Sequence, residues 1–230
     1  MPRPLQALRT LVRQQGPGPA ALYVLHRVLG RLSGGRLRIV PYRLVAQPVG
    51  QGVDVRDDPA SIVRVVTAQD PITQAFPRPA AVNAARWAAG AQCHALTVKG
   101  SFAGTVWTQR HAYDEDEVRC RFVMTEPAVS VWDFDVYVEP RLRLGRAMAR
   151  LWKAVDADMA AQGVRWSFSR ISMFNPESLN SHARLGARPV GWAVFFCAGP
   201  AQLALLPRAP WVHVSARRGG PVLALRPPAG

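Results

Sequence analysis

The chain has 230 residues, 49% of them hydrophobic, and a formal net charge of +14. That length admits one domain with extensions or two small ones, and the apolar content is enough for a full core. Cys93, Cys120 and Cys197 show no Cys-x-x-Cys spacing, which argues against a metal site and for buried free thiols in a reducing cytoplasm.

The charge is unevenly placed. Residues 1–53 carry eight arginines and no acid, residues 54–177 carry fifteen basic and fifteen acidic side chains, and residues 178–230 carry six arginines and no acid. The whole excess therefore lies in the two ends, which attract anionic partners: an anionic membrane surface, with nucleic acid the less expected. The N-terminus alternates arginines with short apolar groups and lacks the apolar core of a cleavable secretory signal.

In chain order, residues 4–14 read as a helix with Leu5, Leu8, Leu11 and Val12 on one side, interrupted by Gly16 to Pro19. Residues 20–33 read as a second helix, apolar at Leu22, Leu25, Val28, Leu29 and Leu32, with His26, Arg27 and Arg31 around the rest. A basic amphipathic element of this kind either packs on its own domain or docks on an anionic membrane. Arg36–Val45 alternates as a strand, and Gln47–Asp58 is glycine-rich and polar, a linker. Residues 1–58 thus form a basic extension, 59–216 the main domain and 217–230 a tail. Ile62–Val66 is the main domain's first strand, and Asp70–Phe76 and Pro79–Ala89 are helices, with Gly90 ending the second. Cys93–Val98 and Phe102–Thr108 form a hairpin about Lys99 and Gly100. Val118–Met124 is a further strand. Before it, the acidic run Asp114–Glu117 beside His111 and Tyr113 is either a solvated loop or a site for a cationic amine.

Val129–Val138 is a strand. By its period of two, Val129, Val131, Asp133, Asp135 and Tyr137 share one face, and Ser130, Trp132, Phe134, Val136 and Val138 the other. Pro140 ends it. A helix opens at Arg141–Ala147, with Leu144, Met148, Leu151, Val155 and Met159 on its apolar face and Gly163 at its end. A strand turning into a helix leaves N–H groups that, with the helix dipole, bind phosphate; Arg141, Arg143 and Arg146 add charge there. Val164–Ser169 is a strand. Asn175–Ala187 is a short helix with Asn175 as N-cap, Pro176 at its first position and Gly186 as its stop. The uncharged stretch Pro189–Pro207 is long enough for a membrane span. Gly199 and Pro200 break it, so it reads as two buried strands and a turn, with a third strand at Trp211–Ser215, a turn at Arg217–Pro221 and frayed residues at 227–230.

Val138 and Pro140, then Gly145 and Ala147 entering a helix, then Asn175, Ser178, His182, Leu185 and Gly186 fall at the spacing of a family pattern. That pattern is Val-x-Pro, a glycine-bearing turn led by Arg or Gln, and Asn-x-x-Ala/Ser-x-x-x-Tyr-x-x-Leu-Gly. Over about half its length the chain resembles the GNAT (GCN5-related N-acetyltransferase) superfamily. It departs twice. With Arg143 aligned to the family arginine the turn is two residues short and lacks its first glycine; with the Gly145–Ala147 pair aligned instead, Leu142 sits where the arginine belongs; and His182 stands where the family has tyrosine.

The resemblance implies a mixed α/β fold, a twisted mixed sheet of about six to seven strands flanked by helices. It implies acyl transfer from acetyl-CoA, or a longer acyl-CoA, to an amine of a small molecule or protein, by direct attack and without a metal. The expected CoA contacts are Val136, Val138, Arg141, Arg143, Leu144, Gly145, Arg146, Ala147, Asn175, Ser178 and His182. A backbone N–H near Val136–Val138 stabilises the carbonyl oxygen, Asp133 or Asp135 takes the ammonium proton, and His182, backed by Tyr137, protonates the thiolate. The alternatives are a degenerate member that binds acyl-CoA without turnover, and a basic binding protein for membrane or nucleic acid. The protein is expected to be cytoplasmic or peripheral at the membrane, a monomer or homodimer.

Overall fold

The structure, a computed structural model, describes residues 9, 12–14, 16–143 and 145–229. The helix expected over residues 4–14 lies largely outside the described residues. The fold is mixed α/β, with a large mixed sheet flanked by helices. In chain order the elements are α1 (Pro17–Leu32), β1 (Leu37–Pro48), β2 (Ser61–Val66), α2 (Ala80–Ala88), β3 (Gln92–Val98), β4 (Ser101–Gln109), β5 (Ala112–Asp114), β6 (Arg121–Met124), β7 (Ser130–Val138), α3 (Ala147–Ala161), β8 (Trp166–Ser172), α4 (Pro176–Arg184), β9 (Arg188–Ala198), β10 (Ala201–Leu205), β11 (Val212–Ala216) and β12 (Val222–Leu225). No helix among the described residues is long and apolar enough to cross a membrane.

The chain divides into two compact units. The first is Met1–Gln47, Tyr113–Val123 and Ser169–Gly230; the second is Pro48–Ala112 and Met124–Phe168. Strand β8 contributes to both.

In the first unit the strand order is β11-β10-β9-β1, and β12, β6 and β5 form a separate three-stranded sheet. Strand β1 pairs antiparallel with β9 from Leu37↔Ala198 to Ala46↔Arg188. It is therefore a sheet strand rather than part of a separate extension. A stretch that is buried on both faces, as Ile39–Tyr42 is, must be flanked by neighbours. Gly199 and Pro200 turn β9 into β10, as the break in the uncharged stretch implies. Residues 222–225, assigned to a tail, form β12.

In the second unit the order is β7-β4-β3-β2, with Trp166–Phe168 of β8 parallel to β7. The β3–β4 turn puts both Lys99 (φ 51) and Gly100 (φ 76) in the left-handed region, the geometry of a two-residue hairpin turn. Asp70–Phe76 is a single 3₁₀ turn, Pro71–Ala75, because Asp70 accepts the Ile72 N–H and Phe76 leaves extended. The core joins Leu96, Ala103, Val106, Val131 and Val138 of the sheet to Ala147, Leu151, Trp152, Val155 and Met159 of α3. A fully buried aliphatic side chain such as Leu151 contributes about 1.5–3 kcal/mol. Met148, expected on that face, is 39% exposed; Ala147 takes its place because α3 begins at Ala147 and not at Arg141.

The glycine-rich segment after β1 is not a free linker. Buried Asp156 of α3 accepts the N–H groups of Gly50 (3.1 Å) and Gly52 (3.3 Å). Lys153 reaches the Val55 carbonyl and Asp57, and Arg150 reaches Asp58. These bonds run the segment along α3.

Candidate functional site

Strand β7 carries an extra residue. Opposite β4 its register reads Thr105↔Tyr137 and then Trp107↔Phe134, so Asp135 and Val136 face the single residue Val106. Asp135 has φ 46, the left-handed conformation that one residue of a bulge adopts. Past the bulge the two strands come close. A Cβ on Gly104 would stand 2.5 Å from the Tyr137 carbonyl oxygen, so only glycine fits. On its other side β7 pairs with β8 only from Ser130 to Trp132; from Asp133 onward its ladder is with β4 alone.

The bulge corrects the expected faces. Val131 and Val138 belong to one buried cluster although one number is odd and the other even. An inserted residue reverses the alternation, and a strict period of two cannot register it. Asp133 and Asp135, expected side by side, part company. Asp135 accepts from Arg78 Nε with both oxygens (3.3 and 3.1 Å), from an Arg78 terminal nitrogen (2.9 Å), and from Arg86. The Arg86 guanidinium, 10% exposed, lies 5.2 Å from the ring centres of both Trp107 and Phe134. Burial pushes the Asp135 carboxyl up, but the Arg78 and Arg86 bonds outweigh it, and the net result lies below the usual range. Such a carboxylate is a poor proton acceptor at neutral pH.

Asp133 is the opposite case. It is buried, and among the described residues its side-chain hydrogen-bond partner is the Ser167 hydroxyl, which donates at 2.6 Å. Burial pushes its carboxyl up to about 7, opposed in part by that bond.

Tyr137 donates to Glu139 (3.1 Å), stacks on Phe102 with centres 6.2 Å apart, and lies beneath the Arg143 guanidinium. Partial burial and the Glu139 carboxylate hold its proton above the ordinary tyrosine value. Val136 is 40% exposed and Val138 is buried. Arg143 donates to the Val138 carbonyl (2.9 Å).

The turn that follows differs from expectation. Leu142, Arg143 and Gly145 give their N–H groups to the carbonyls of Glu139, Pro140 and Leu142, so these three amides are spent inside the turn. Leu144 lies outside the described residues. Helix α3 has Arg146 as N-cap with no side-chain cap, and the first turn of a helix keeps N–H groups without intrahelical partners. Arg141 and Arg146 are exposed and make no ion pair among the described residues.

In the first unit, Asn175 caps α4 by accepting the Ser178 N–H (3.1 Å). His182 Nδ1 lies 3.1 Å from the Oε1 of buried Gln47. An amide oxygen only accepts, so Nδ1 carries the hydrogen and Nε2 keeps its lone pair. Burial lowers the pKa of His182 and keeps the ring neutral. That tautomer makes Nε2 an acceptor, contrary to the donor expected from sequence.

One cluster went unread. Arg170 on β8 holds Glu115, whose side chain is fully buried, with bonds of 2.9 and 2.7 Å, and lies over the Tyr42 ring of β1. Tyr42 donates to Glu117 at 2.8 Å. Burial raises the Glu115 pKa and Arg170 opposes it. The acidic run is thus already answered by an arginine, unlike an open receptor for a cationic amine. Tyr42 and Arg170 lie 128 positions apart, and only strand pairing brings them together. Among the described residues no group of three or more His, Cys, Asp or Glu is arranged to hold a metal ion.

No family model and no curated protein matches the chain. Solved structures share its fold. A tandem GNAT protein from the clavulanic acid biosynthesis pathway, solved without AcCoA, matches with a TM-score of 0.50 at 15% identity, over 81% of this chain and 60% of that one. A conserved protein of unknown function from Staphylococcus epidermidis matches at 0.50 and 12% identity, over 76% and 67%. A GNAT-family protein from Novosphingobium aromaticivorans is 20% identical over 68% of this chain and 63% of that one, with a TM-score of 0.46. The chain thus spans about three-fifths to two-thirds of the length of these structures. At such identities the likeness is one of fold, a mixed α/β fold that the tandem GNAT protein shares.

Proposed function

We propose that the chain is an acyl-CoA-dependent N-acyltransferase of the GNAT superfamily, moving acetyl from acetyl-CoA to a primary amine by direct attack in a ternary complex. The bulge in β7 carries this reading. It disrupts the strand next to an edge without ladder partners, just before the turn into α3. A thioester needs a backbone N–H aimed at its carbonyl oxygen, and the Val136–Val138 edge is the source. A diphosphate needs donors and positive charge. With the turn amides of Leu142, Arg143 and Gly145 spent, that work passes to the first turn of α3 at Ala147 and to Arg141 and Arg146. Arg143 is committed to Val138 and Tyr137.

The ammonium first gives up a proton; the free amine then attacks the acyl carbon, the C–S bond breaks, the departing thiolate takes the donor's proton, and the second proton lost from the acylated nitrogen restores that donor. Asp133, poised near neutrality, is the proton acceptor through water, in preference to the arginine-clamped Asp135. Tyr137 remains protonated at neutral pH and is the donor. Neutral His182, with Asn175 and Ser178, serves binding rather than proton donation.

The test is equilibrium binding of CoA to the purified chain, then thiol release from acetyl-CoA with a panel of primary amines. Micromolar binding with amine-dependent release is the expected result. Binding without release for every amine indicates the degenerate reading, which the spent turn amides favour. No binding at millimolar CoA overturns both.

A further inference from the structure

The first unit presents an apolar surface that its own packing leaves uncovered. On α1, Val24, Leu25, Val28 and Leu32 are 43%, 43%, 46% and 82% exposed, while the single buried residue of that helix is Ala20. At 100° per residue these four fall within about a third of the helix circumference. The opposite side already holds the helix in place: His26 Nδ1 accepts the Ile39 N–H at 3.1 Å, and Tyr23 packs on Phe174 with ring centres 5.4 Å apart. Docking on its own unit therefore explains one face of α1 and not the other.

The sheet beside it continues the pattern. Ile39, Phe196, Leu203 and Val214 are register partners across four strands, so they share one face. That row runs from buried Ile39 to Val214, 73% exposed on edge strand β11, beside Val212 at 55% and Trp211 at 65%. Leu29 of α1 and this row together line an apolar cavity of about 260 Å³, which places the helix and the strand edge on one surface.

Exposed arginines border this face, while Glu117 of the acidic run lies near enough to His26 and Cys197 to act on both. Arg27, Arg31 and Arg36 flank the helix, and Arg208, Arg217 and Arg218 flank β11; all six are exposed and none makes an ion pair among the described residues. No carboxylate occurs in residues 1–53 or 178–230. We infer that this surface docks on an anionic lipid bilayer. The apolar residues of α1 and β11 enter the headgroup boundary with Trp211 at its level, and the arginines meet lipid phosphates. A protein partner would need an acidic rim around an apolar centre; a bilayer supplies both over any area, which suits a helix face and a strand edge presented together.

The test is flotation of the 230-residue chain with phosphatidylcholine vesicles, with and without 30% phosphatidylglycerol. Binding to the anionic vesicles alone, weakened by 0.5 M salt, is expected. Each arginine near the surface is worth roughly fivefold in partitioning, so Arg27→Gln with Arg31→Gln lowers it roughly 25-fold. Leu32→Ser with Trp211→Ser, both at exposed positions, abolishes binding while the melting temperature is kept. Equal binding to neutral vesicles, or none to either, overturns the inference. So does a dimer seen by light scattering that Leu32→Ser dissolves, which would make a second copy the occupant.

Discussion

Replacing Asp133 by asparagine isolates what burial does to one carboxyl. The side chain keeps its shape and can still accept from Ser167, but it no longer titrates. In the folded protein the Asp133 carboxyl is pushed from its ordinary 3.8 up to about 7, with burial the main cause. The folded state therefore binds a proton that the unfolded state has released, and stability falls as pH rises. The contribution is complete below about pH 4, declines between pH 4 and 7, and is gone above that. About three pH units at about 1.36 kcal/mol each amount to about 4 kcal/mol. At roughly 2–4 °C per kcal/mol, that is about 8–16 °C in melting temperature across the range.

Thermal melts of wild type and Asp133→Asn at half-unit steps from pH 4 to 9 measure it. The difference between the two curves should widen in favour of the variant up to pH 7 and then stay constant. The same carboxyl sets the rising limb of the rate profile near pH 7 if it accepts the ammonium proton, and the variant should lose that limb with roughly 10²–10⁴-fold of the rate. Parallel melting curves would refute the burial argument. A widening gap with an unaltered rate profile would leave Asp133 structural and move the base elsewhere.

Gly104→Ala sets a methyl 2.5 Å from the Tyr137 carbonyl oxygen and 3.4 Å from Leu151, so it should cost about 1–3 kcal/mol and weaken CoA binding by shifting β7; an unchanged melt and Kd would deny the close approach. Arg86→Ala strips a buried cation from Asp135, Trp107 and Phe134, and about 3 kcal/mol should go in a urea titration at pH 7. Because the Asp135 pKa is held below its ordinary value, the clamp contributes above about pH 4 and is lost as pH falls further, so the gap between Arg86→Ala and wild type should close in acid. Arg170→Ala leaves Glu115 buried without its cation and should cost roughly 3 kcal/mol, with Glu115→Gln restoring part of it in the double variant; additive losses would mean that the two act independently.

Much of this fold could be read from pattern. The apolar runs of β2 and β7, the 3.6-residue period through Leu151, Val155 and Met159, and the Lys99–Gly100 turn are local signals, and they fall where the elements stand. What escaped depends on partners distant in sequence. Strand β1 looked like part of an extension because nothing in residues 37–48 names β9 as its neighbour. The segment at Gly50 and Gly52 looked like a linker because the carboxylate that fastens it lies more than a hundred positions later, at Asp156. The charges of Asp133 and Asp135 were visible as residues, but their surroundings were not: one is buried and accepts from the Ser167 hydroxyl, and the other accepts from two arginines, at residues 78 and 86.

The bulge ties these points together. A left-handed non-glycine residue costs about 1–3 kcal/mol, so the structure around Asp135 must hold it there. Glycine at that position would remove the strain, yet it could not accept from Arg78 and Arg86. Aspartate tolerates the conformation better than most residues and brings the carboxylate that the two arginines grip. Arg86 is in turn fixed against Trp107 and Phe134, one on each side of the β4–β7 pairing. The clamp therefore holds the disrupted strand by both of its neighbouring rows. A carboxylate that looked like the base in the sequence is spent on holding β7, and the proposed mechanism turns instead to the buried carboxyl two residues before it.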